Sequence, residues 1–123
     1  MSIGWRASMA LLLTSMPMVA IAQDRDAGSV LFRQRCQSCH GVKPGQTSVL
    51  GPNLAGVTGR KAASTGFAYS SALKSSGLTW DKSTLDMFLA APMTKVPGTR
   101  MIISVADARQ RADLLAFLAA QKP

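Results

Sequence analysis

The chain of 123 residues carries 14 Lys and Arg against 6 Asp and Glu, which gives a formal net charge of +8. Its 2 cysteines and 1 histidine are too few for a closed four-ligand zinc site. Its length is that of one small domain. A basic balance of this kind is typical of a solvated surface, or of attraction to nucleic acid or to an anionic membrane.

The first residues have the pattern of an export signal. Arg6 is followed by an apolar run, and Ala20-Ile21-Ala22 has the small-x-small form of a signal-peptidase site. A membrane-spanning helix needs about 20 mainly apolar residues. This run is shorter and contains Pro17, although an uncleaved anchor is the alternative. We therefore predict a signal peptide over residues 1–22, cleaved after Ala22, and a domain over residues 23–123 in the periplasm of a Gram-negative bacterium. Export also removes the protein from nucleic acid.

The first helix is predicted over residues 27–36, with Asp24 or Asp26 as its N-cap. It leads into Cys36-Gln37-Ser38-Cys39-His40, which holds both cysteines and the only histidine. C-x-x-C-H is the attachment site of c-type haem, in which the thiols add to the vinyl groups and the imidazole lies beneath the iron. A thioredoxin-type dithiol is the alternative, but it usually belongs to a βαβ unit, which is missing here. The motif predicts one covalently bound haem c.

The rest of the chain is predicted to be helices joined by loops, so the fold class is all-α. Residues 41–66 form a loop rich in Gly, Pro, Ser, Thr and Asn, and a loop of this length usually wraps something. A short helix is predicted over residues 69–75. The next begins at Asp81 or Ser83, buries Leu85, Phe88 and Leu89, and ends at Pro92. The last runs from Ser104 or Asp107 to about Gln121, with an apolar stripe of Leu114, Leu115, Phe117 and Leu118 and with Asp107, Arg109, Arg111 and Asp113 in solvent.

Several further motifs occur in a fixed order along the chain. They are Gly28 and Phe32, Gly51-Pro52-Asn53-Leu54, Gly59-Arg60-Lys61, Tyr69-Ser70, Trp80, Pro97-Gly98-Thr99-Arg100-Met101 and residues 111–118. Together they resemble the class I cytochromes c of the mitochondrial and short bacterial type, from about Gly28 to Lys122. The resemblance implies a small cytochrome c fold wrapped around one haem. It also implies that the first and last helices cross through Gly28 and Phe32 on one side and Leu114 and Phe117 on the other.

The iron ligands follow from chemistry and from the resemblance together. Only His40 offers an imidazole, and a thioether opposite it raises the iron potential relative to a second histidine. The resemblance assigns that thioether to Met101; Met93 is the competing candidate, and Met87 is expected to fill the core. It also assigns the partner of the second ring nitrogen of His40 to the Pro52 carbonyl. The haem propionates are expected to meet Arg60, Tyr69, Trp80 and Thr99.

Three positions depart from the family pattern. Phe67 and Phe88 stand where tyrosines are common, and Leu73 replaces an asparagine. These changes remove the polar groups that would hold a buried water near the methionine sulfur. The sequence therefore predicts a drier methionine side and a differently tuned iron–sulfur bond.

The predicted function is one-electron transfer by a monomeric carrier that makes and breaks no substrate bond. Five basic residues are expected to ring the exposed haem edge: Arg35, Lys43, Lys61, Lys95 and Arg100. Partners should then be redox proteins with acidic docking faces, such as a membrane oxidase, a bc1-type complex, a reaction centre or a dehydrogenase. The alternatives are a haem-c domain or subunit of a periplasmic redox enzyme and a gas-binding haem protein. Both require an open or displaceable sixth position on the iron.

Overall fold

The computed structural model describes Met1, residues 15–17 and residues 22–123. Most of the predicted signal peptide therefore lies outside the described residues. The described part contains α1 Arg25–Arg35, α2 Ser71–Lys74, α3 Lys82–Ala90, α4 Pro92–Lys95 and α5 Ala108–Ala119. Its only β feature is an isolated antiparallel bridge between Lys61 and Thr79. The all-α prediction is confirmed, and none of these helices has the length and apolar character needed to cross a membrane.

A side-chain carboxylate caps the N-terminus of each of the three longer helices. Asp24 accepts from the backbone N–H groups of Asp26 and Ala27 at 2.9 and 3.0 Å. Asp81 and Asp107 each accept one backbone N–H at 2.8 Å. These bonds satisfy donors that a helix leaves free at its start. Of the alternative caps predicted from the sequence, Asp24 therefore caps α1, Asp81 caps α3 and Asp107 caps α5.

The short helices differ from the prediction. Ser70 caps α2 through the backbone N–H of Leu73, so Tyr69 lies outside the helix. Pro92 does not simply end α3. The helix stops at Ala90, and Pro92 is the first residue of α4. A proline fits a first helical position because its fixed φ suits the helix and its missing N–H would have had no partner there.

The helices α1 and α5 cross in close contact at Gly28. A Cβ at this position would lie 2.1 Å from the Asp113 carbonyl oxygen and 2.9 Å from the Phe117 Cβ. Phe32 and Phe117 pack beside the crossing, with ring centroids 5.4 Å apart, and Leu114 is fully buried there. The crossing predicted from the resemblance is confirmed.

Two charged side chains of α5 that the sequence placed in solvent are largely covered. Asp113 is buried because the start of α1 packs over it, and its carboxylate accepts the Asp24 backbone N–H at 2.8 Å. Arg111 is covered because it reaches α3, where its Nε donates to Asp86 at 2.8 Å. Helical periodicity alone cannot show which polar positions of α5 another helix will cover.

Candidate functional site

A mostly apolar cavity opens between the long loop after α1, helix α3 and the segment that follows α4. It encloses about 260 Å³, which is close to the lower end of the roughly 300–1,000 Å³ of small-molecule and cofactor sites. Eight of the nine predicted cofactor-binding residues line it: Cys39, His40, Pro52, Arg60, Tyr69, Trp80, Thr99 and Met101. Cys36 does not line the cavity but packs against the hydrophobic core beside it.

The two cysteines and the histidine lie in one tight turn at the end of α1. The Cys36 carbonyl oxygen accepts the backbone N–H groups of both Cys39 and His40 at 3.0 Å. Burial raises the pKa of the Cys36 thiol, and the Arg35 charge opposes that rise. The two cysteines are not joined to each other in a disulfide. The turn therefore presents the Cys39 thiol and the His40 imidazole at the cavity, with the Cys36 thiol packed against the core beside them.

The ring of His40 is fixed by the loop opposite it. Its Nδ1 lies 2.8 Å from the Pro52 carbonyl oxygen. Because a carbonyl only accepts, Nδ1 carries the hydrogen, and the lone pair of the neutral ring is on Nε2. Burial lowers the pKa of His40, while the bond to Pro52 opposes that shift. The arrangement favours a neutral imidazole whose Nε2 is free to bind a metal.

Arg60 presents a buried donor at the cavity wall. Its Nη1 donates to the Ala55 carbonyl at 3.1 Å and its Nη2 to the Asn53 carbonyl at 3.0 Å. Its Nε is also buried, and no partner for it is found in the described part of the chain. A buried N–H without a partner is costly unless a ligand accepts from it. A propionate fits this donor, so Arg60, the thiol turn, the free Nε2 and the apolar walls together fit a covalently held haem.

Three further residues predicted to meet the propionates are buried in the wall. The Tyr69 hydroxyl lies 2.6 Å from the Thr65 hydroxyl. The Trp80 ring packs on Phe88 with centroids 4.9 Å apart. The Thr99 hydroxyl lies 3.4 Å from the Met101 backbone nitrogen. These contacts position the side chains, and their roles towards a propionate stay predictions.

The methionines are separated by their surroundings. Met101 lines the cavity and packs against the core. Met93 is 58% exposed, Met87 is 45% exposed, and neither lines the cavity. The expectation that Met87 fills the core is therefore wrong. The inward face of α3 is already formed by Leu85, Phe88 and Leu89, which leaves Met87 on the outer side.

The three departures from the family pattern, Phe67, Leu73 and Phe88, all line the cavity. They make its wall apolar at positions where the family pattern has hydroxyl and amide groups. A wall of this kind offers few partners for an ordered water, which needs two to four polar neighbours. The arrangement is consistent with the drier methionine side, which stays a prediction.

The cavity mouth is apolar and carries fewer cations than expected. Leu50 and Ile102, at 67% and 76% exposure, lie in the lining together with the exposed Ile103. Of the five basic residues expected around the edge, only Arg100 belongs to the lining, and none of the described lining residues is acidic. Arg35 lies close by, because its guanidinium donates to the Ser104 carbonyl at 2.8 Å.

Gly51 is a functional position whose role the motif Gly51-Pro52-Asn53-Leu54 does not reveal by itself. A Cβ here would lie 2.6 Å from His40 Cε1 and 2.9 Å from the Cys39 carbonyl oxygen. The glycine therefore leaves the space that the imidazole needs. Its place directly before Pro52 was the available signal, since the same loop supplies the carbonyl that orients the ring.

Comparison with known proteins supports the assignment of the cavity to a covalently held haem. Residues 25–122 match the family described as Cytochrome c. The chain is 44% identical over 99 residues to cytochrome c2 of Rhodoplanes tepidamans, covering 79% of this chain and 92% of that protein. It is 46% identical over 102 residues to cytochrome c2 of Rhodomicrobium vannielii, covering 81% of each.

A solved structure has the same fold. Cytochrome cH from Methylobacterium extorquens matches with a TM-score of 0.71 and 42% identity, covering 77% of this chain and 96% of that one. The fold, the cavity and these similarities agree with the class predicted from the sequence. The chain belongs to the cytochrome c family of haem-binding electron-transfer proteins.

Proposed function

We propose that the protein is a soluble periplasmic carrier of single electrons between larger redox complexes. One haem c would be joined to Cys36 and Cys39, with His40 and Met101 as the iron ligands. When bound, the haem supplies an iron that cycles between the ferrous and ferric states. The supporting observation is that the only histidine, with its Nδ1 held by Pro52, lines one apolar cavity together with Met101.

The protein's own residues then have three tasks. Pro52 holds the imidazole of His40 in one orientation, so that the ligand does not reorganise when the charge on the site changes. The apolar wall excludes water. Arg60 offers its buried Nε to a propionate, where a guanidinium can balance the negative charge.

Partners would dock at the cavity mouth. Redox encounter interfaces are small and weak, so charge contributes more to the association rate than to affinity. Arg35 and Arg100 would meet carboxylates on the partner, while Leu50 and Ile102 would meet an apolar centre. The charged region formed by Arg35 and Arg100 is smaller than the predicted ring of five basic residues, because only Arg100 of those five lines the cavity.

The visible spectrum of the matured, reduced protein with and without carbon monoxide tests the ligand assignment. Sharp low-spin bands that carbon monoxide leaves unchanged are expected for a closed iron. Met101→Ala should then bind carbon monoxide readily, whereas Met93→Ala, the matched control, should not. A parent protein that binds carbon monoxide readily would overturn the assignment and favour the enzyme-subunit or gas-binding alternatives.

Export is tested separately by the mass of the protein recovered from the periplasm. A matured chain that begins at Gln23 and carries one haem agrees with cleavage after Ala22. A chain that keeps residues 1–22 and stays with the membrane would contradict it and indicate an uncleaved anchor.

A further inference from the structure

The segment that carries Met101 is long and makes few hydrogen bonds of its own. It runs over residues 96–107, between α4 and α5, and contains no helix. Within it, the Thr99 backbone N–H donates to Val96 at 3.0 Å, and the Met101 N–H reaches the Thr99 hydroxyl only at 3.4 Å. The bonds that keep the segment in place must therefore come from neighbouring elements.

The largest set of such bonds comes from Arg111 on α5. Its Nη1 donates to the carbonyl oxygens of Val105 at 3.0 Å and Ala106 at 2.8 Å. Its Nε donates to the carboxylate of Asp86 on α3 at 2.8 Å. The Arg111 side chain is 13% exposed. One guanidinium thus joins α5, α3 and the end of the methionine segment.

The same end of the segment is also attached to α3 through its backbone. Val105 is buried, and its N–H donates to the Leu89 carbonyl at 2.8 Å. Without Arg111, this backbone bond would be the main remaining link between α3 and the end of the segment. Arg35 also donates to the Ser104 carbonyl within the segment, and Arg100 of the segment donates to the Ala68 carbonyl, but both arginines are exposed. Exposed charges are screened by water and contribute less than a covered guanidinium.

We propose that Arg111, oriented by Asp86, is a positioning residue that keeps the methionine segment closed over the cavity and so sets how readily the Met101 sulfur leaves the iron. The proposal rests on the proposed function, in which Met101 is an iron ligand. It depends on the fork of the guanidinium, because one side chain must meet two carbonyls and a carboxylate at once. A lysine keeps the charge but has no such fork.

The test uses the matured protein and the variants Arg111→Lys and Asp86→Asn, with Arg109→Lys as the matched control. Arg109 lies on the same helix but is exposed. We would measure the rate of carbon monoxide uptake by the ferrous protein over hours, because sulfur release limits this rate and a closed parent takes up carbon monoxide only slowly. In denaturant, the ferric methionine–iron absorption band would be followed beside the helical circular dichroism.

Arg111→Lys should raise the rate of carbon monoxide uptake about 10-fold or more, as expected from the loss of charge-assisted hydrogen bonds. Its methionine–iron band should be lost at a lower denaturant concentration than its helices. Asp86→Asn should give a smaller increase, because an amide oxygen still accepts from Nε. Arg109→Lys should match the parent.

Two results would overturn the proposal. One is an Arg111→Lys protein that takes up carbon monoxide no faster than Arg109→Lys. The other is a methionine–iron band and a helical signal that shift together by the same amount, which would make Arg111 a general stabilising residue. Failure of the proposed function looks different, since the parent itself would then lack the methionine–iron band.

Discussion

Gly51 and His40 show how one missing side chain can determine the geometry of the site. The imidazole lies where a Cβ of residue 51 would be, and the next residue, Pro52, accepts the hydrogen bond that fixes the ring. The same short piece of loop thus makes room for the ring and orients it. At the scale of single residues, the ligand environment therefore depends on this fit as well as on the histidine itself.

Gly51→Ala should lower the free energy of unfolding of the matured protein by about 1–3 kcal/mol, because ring or loop must move to accept the methyl group. It should also shift the reduction potential, since the bond between His40 and Pro52 is disturbed. Gly66→Ala is the matched control, because a Cβ there meets open space and no positive φ is involved. Chemical denaturation and redox titration measure both effects. Equal results for the two variants would contradict this role of Gly51.

At the scale of whole elements, the crossing of α1 and α5 depends on the absence of a side chain at Gly28. The atoms that a Cβ would meet first belong to the backbone of Asp113, which cannot turn away as a long side chain can. The close approach also brings Phe32 against Phe117 and covers the Asp113 carboxylate. The absence of a side chain at Gly28 therefore permits both the close contact of α1 with α5 and the burial of the Asp113 carboxylate.

Gly28→Ala is expected to destabilise the protein, although replacing a glycine by alanine inside a helix usually stabilises it. Inside a helix, alanine is favoured over glycine by about 1 kcal/mol. Here we expect a net loss of about 1–3 kcal/mol in the free energy of unfolding, because the helices must separate. Gln34→Ala, on the exposed side of α1, is the control. Denaturant unfolding of the matured proteins decides the sign, and a more stable Gly28→Ala protein would show that the crossing adapts.

The N-cap of α3 gives the stability a defined pH dependence. Hydrogen bonding to Thr84 lowers the pKa of Asp81. A group with a lowered folded-state pKa contributes its full stabilisation above its unfolded pKa, about 3.9 for aspartate. That contribution is lost as the pH falls through the lower, folded-state value.

Asp81→Asn keeps a capping side chain but does not titrate. Between about pH 5 and pH 2, the melting temperature of the variant should therefore fall less steeply than that of the parent. Thermal unfolding followed by circular dichroism at several pH values measures both slopes. Identical slopes would mean that the cap does not contribute to the acid sensitivity.

At the scale of the whole molecule, a net charge of +8 is combined with a cavity mouth that is mostly apolar. Arg100 lies in the mouth, and Arg35 is held beside it by the Ser104 carbonyl. The local field there is positive but comes from few groups. Association with charged reagents should therefore depend on salt, because exposed charges are screened beyond about 8 Å at physiological ionic strength.

Two small redox reagents of opposite charge measure this field. With rising ionic strength, electron transfer to hexacyanoferrate(III) should slow, and electron transfer from hexaammineruthenium(II) should accelerate. Arg100→Gln should reduce both salt slopes, whereas Lys122→Gln, near the C-terminus and outside the cavity lining, should change them less. Stopped-flow rates at several salt concentrations give the slopes. Slopes of the same sign for both reagents would contradict a positive mouth.

The sequence by itself determined the chemistry and the fold class. C-x-x-C-H places both thiols and the imidazole within five consecutive residues, so no long-range contact is needed to recognise the haem site. The caps at Asp24, Asp81 and Asp107 were also among the predicted alternatives, since a cap is a local bond between neighbours. The resemblance added the bond between His40 and Pro52 and the crossing of the terminal helices.

Other features were decided only by the tertiary structure. Burial of Asp113, exposure of Met87 and Met93, and the bonds from Arg111 to α3 and to the methionine segment all join parts of the chain that are distant in sequence. Periodicity places a residue on a face of its helix but does not show what covers that face. The physical reason is that burial is a property of the packed molecule, whereas a cap or an attachment motif is a property of a few adjacent residues.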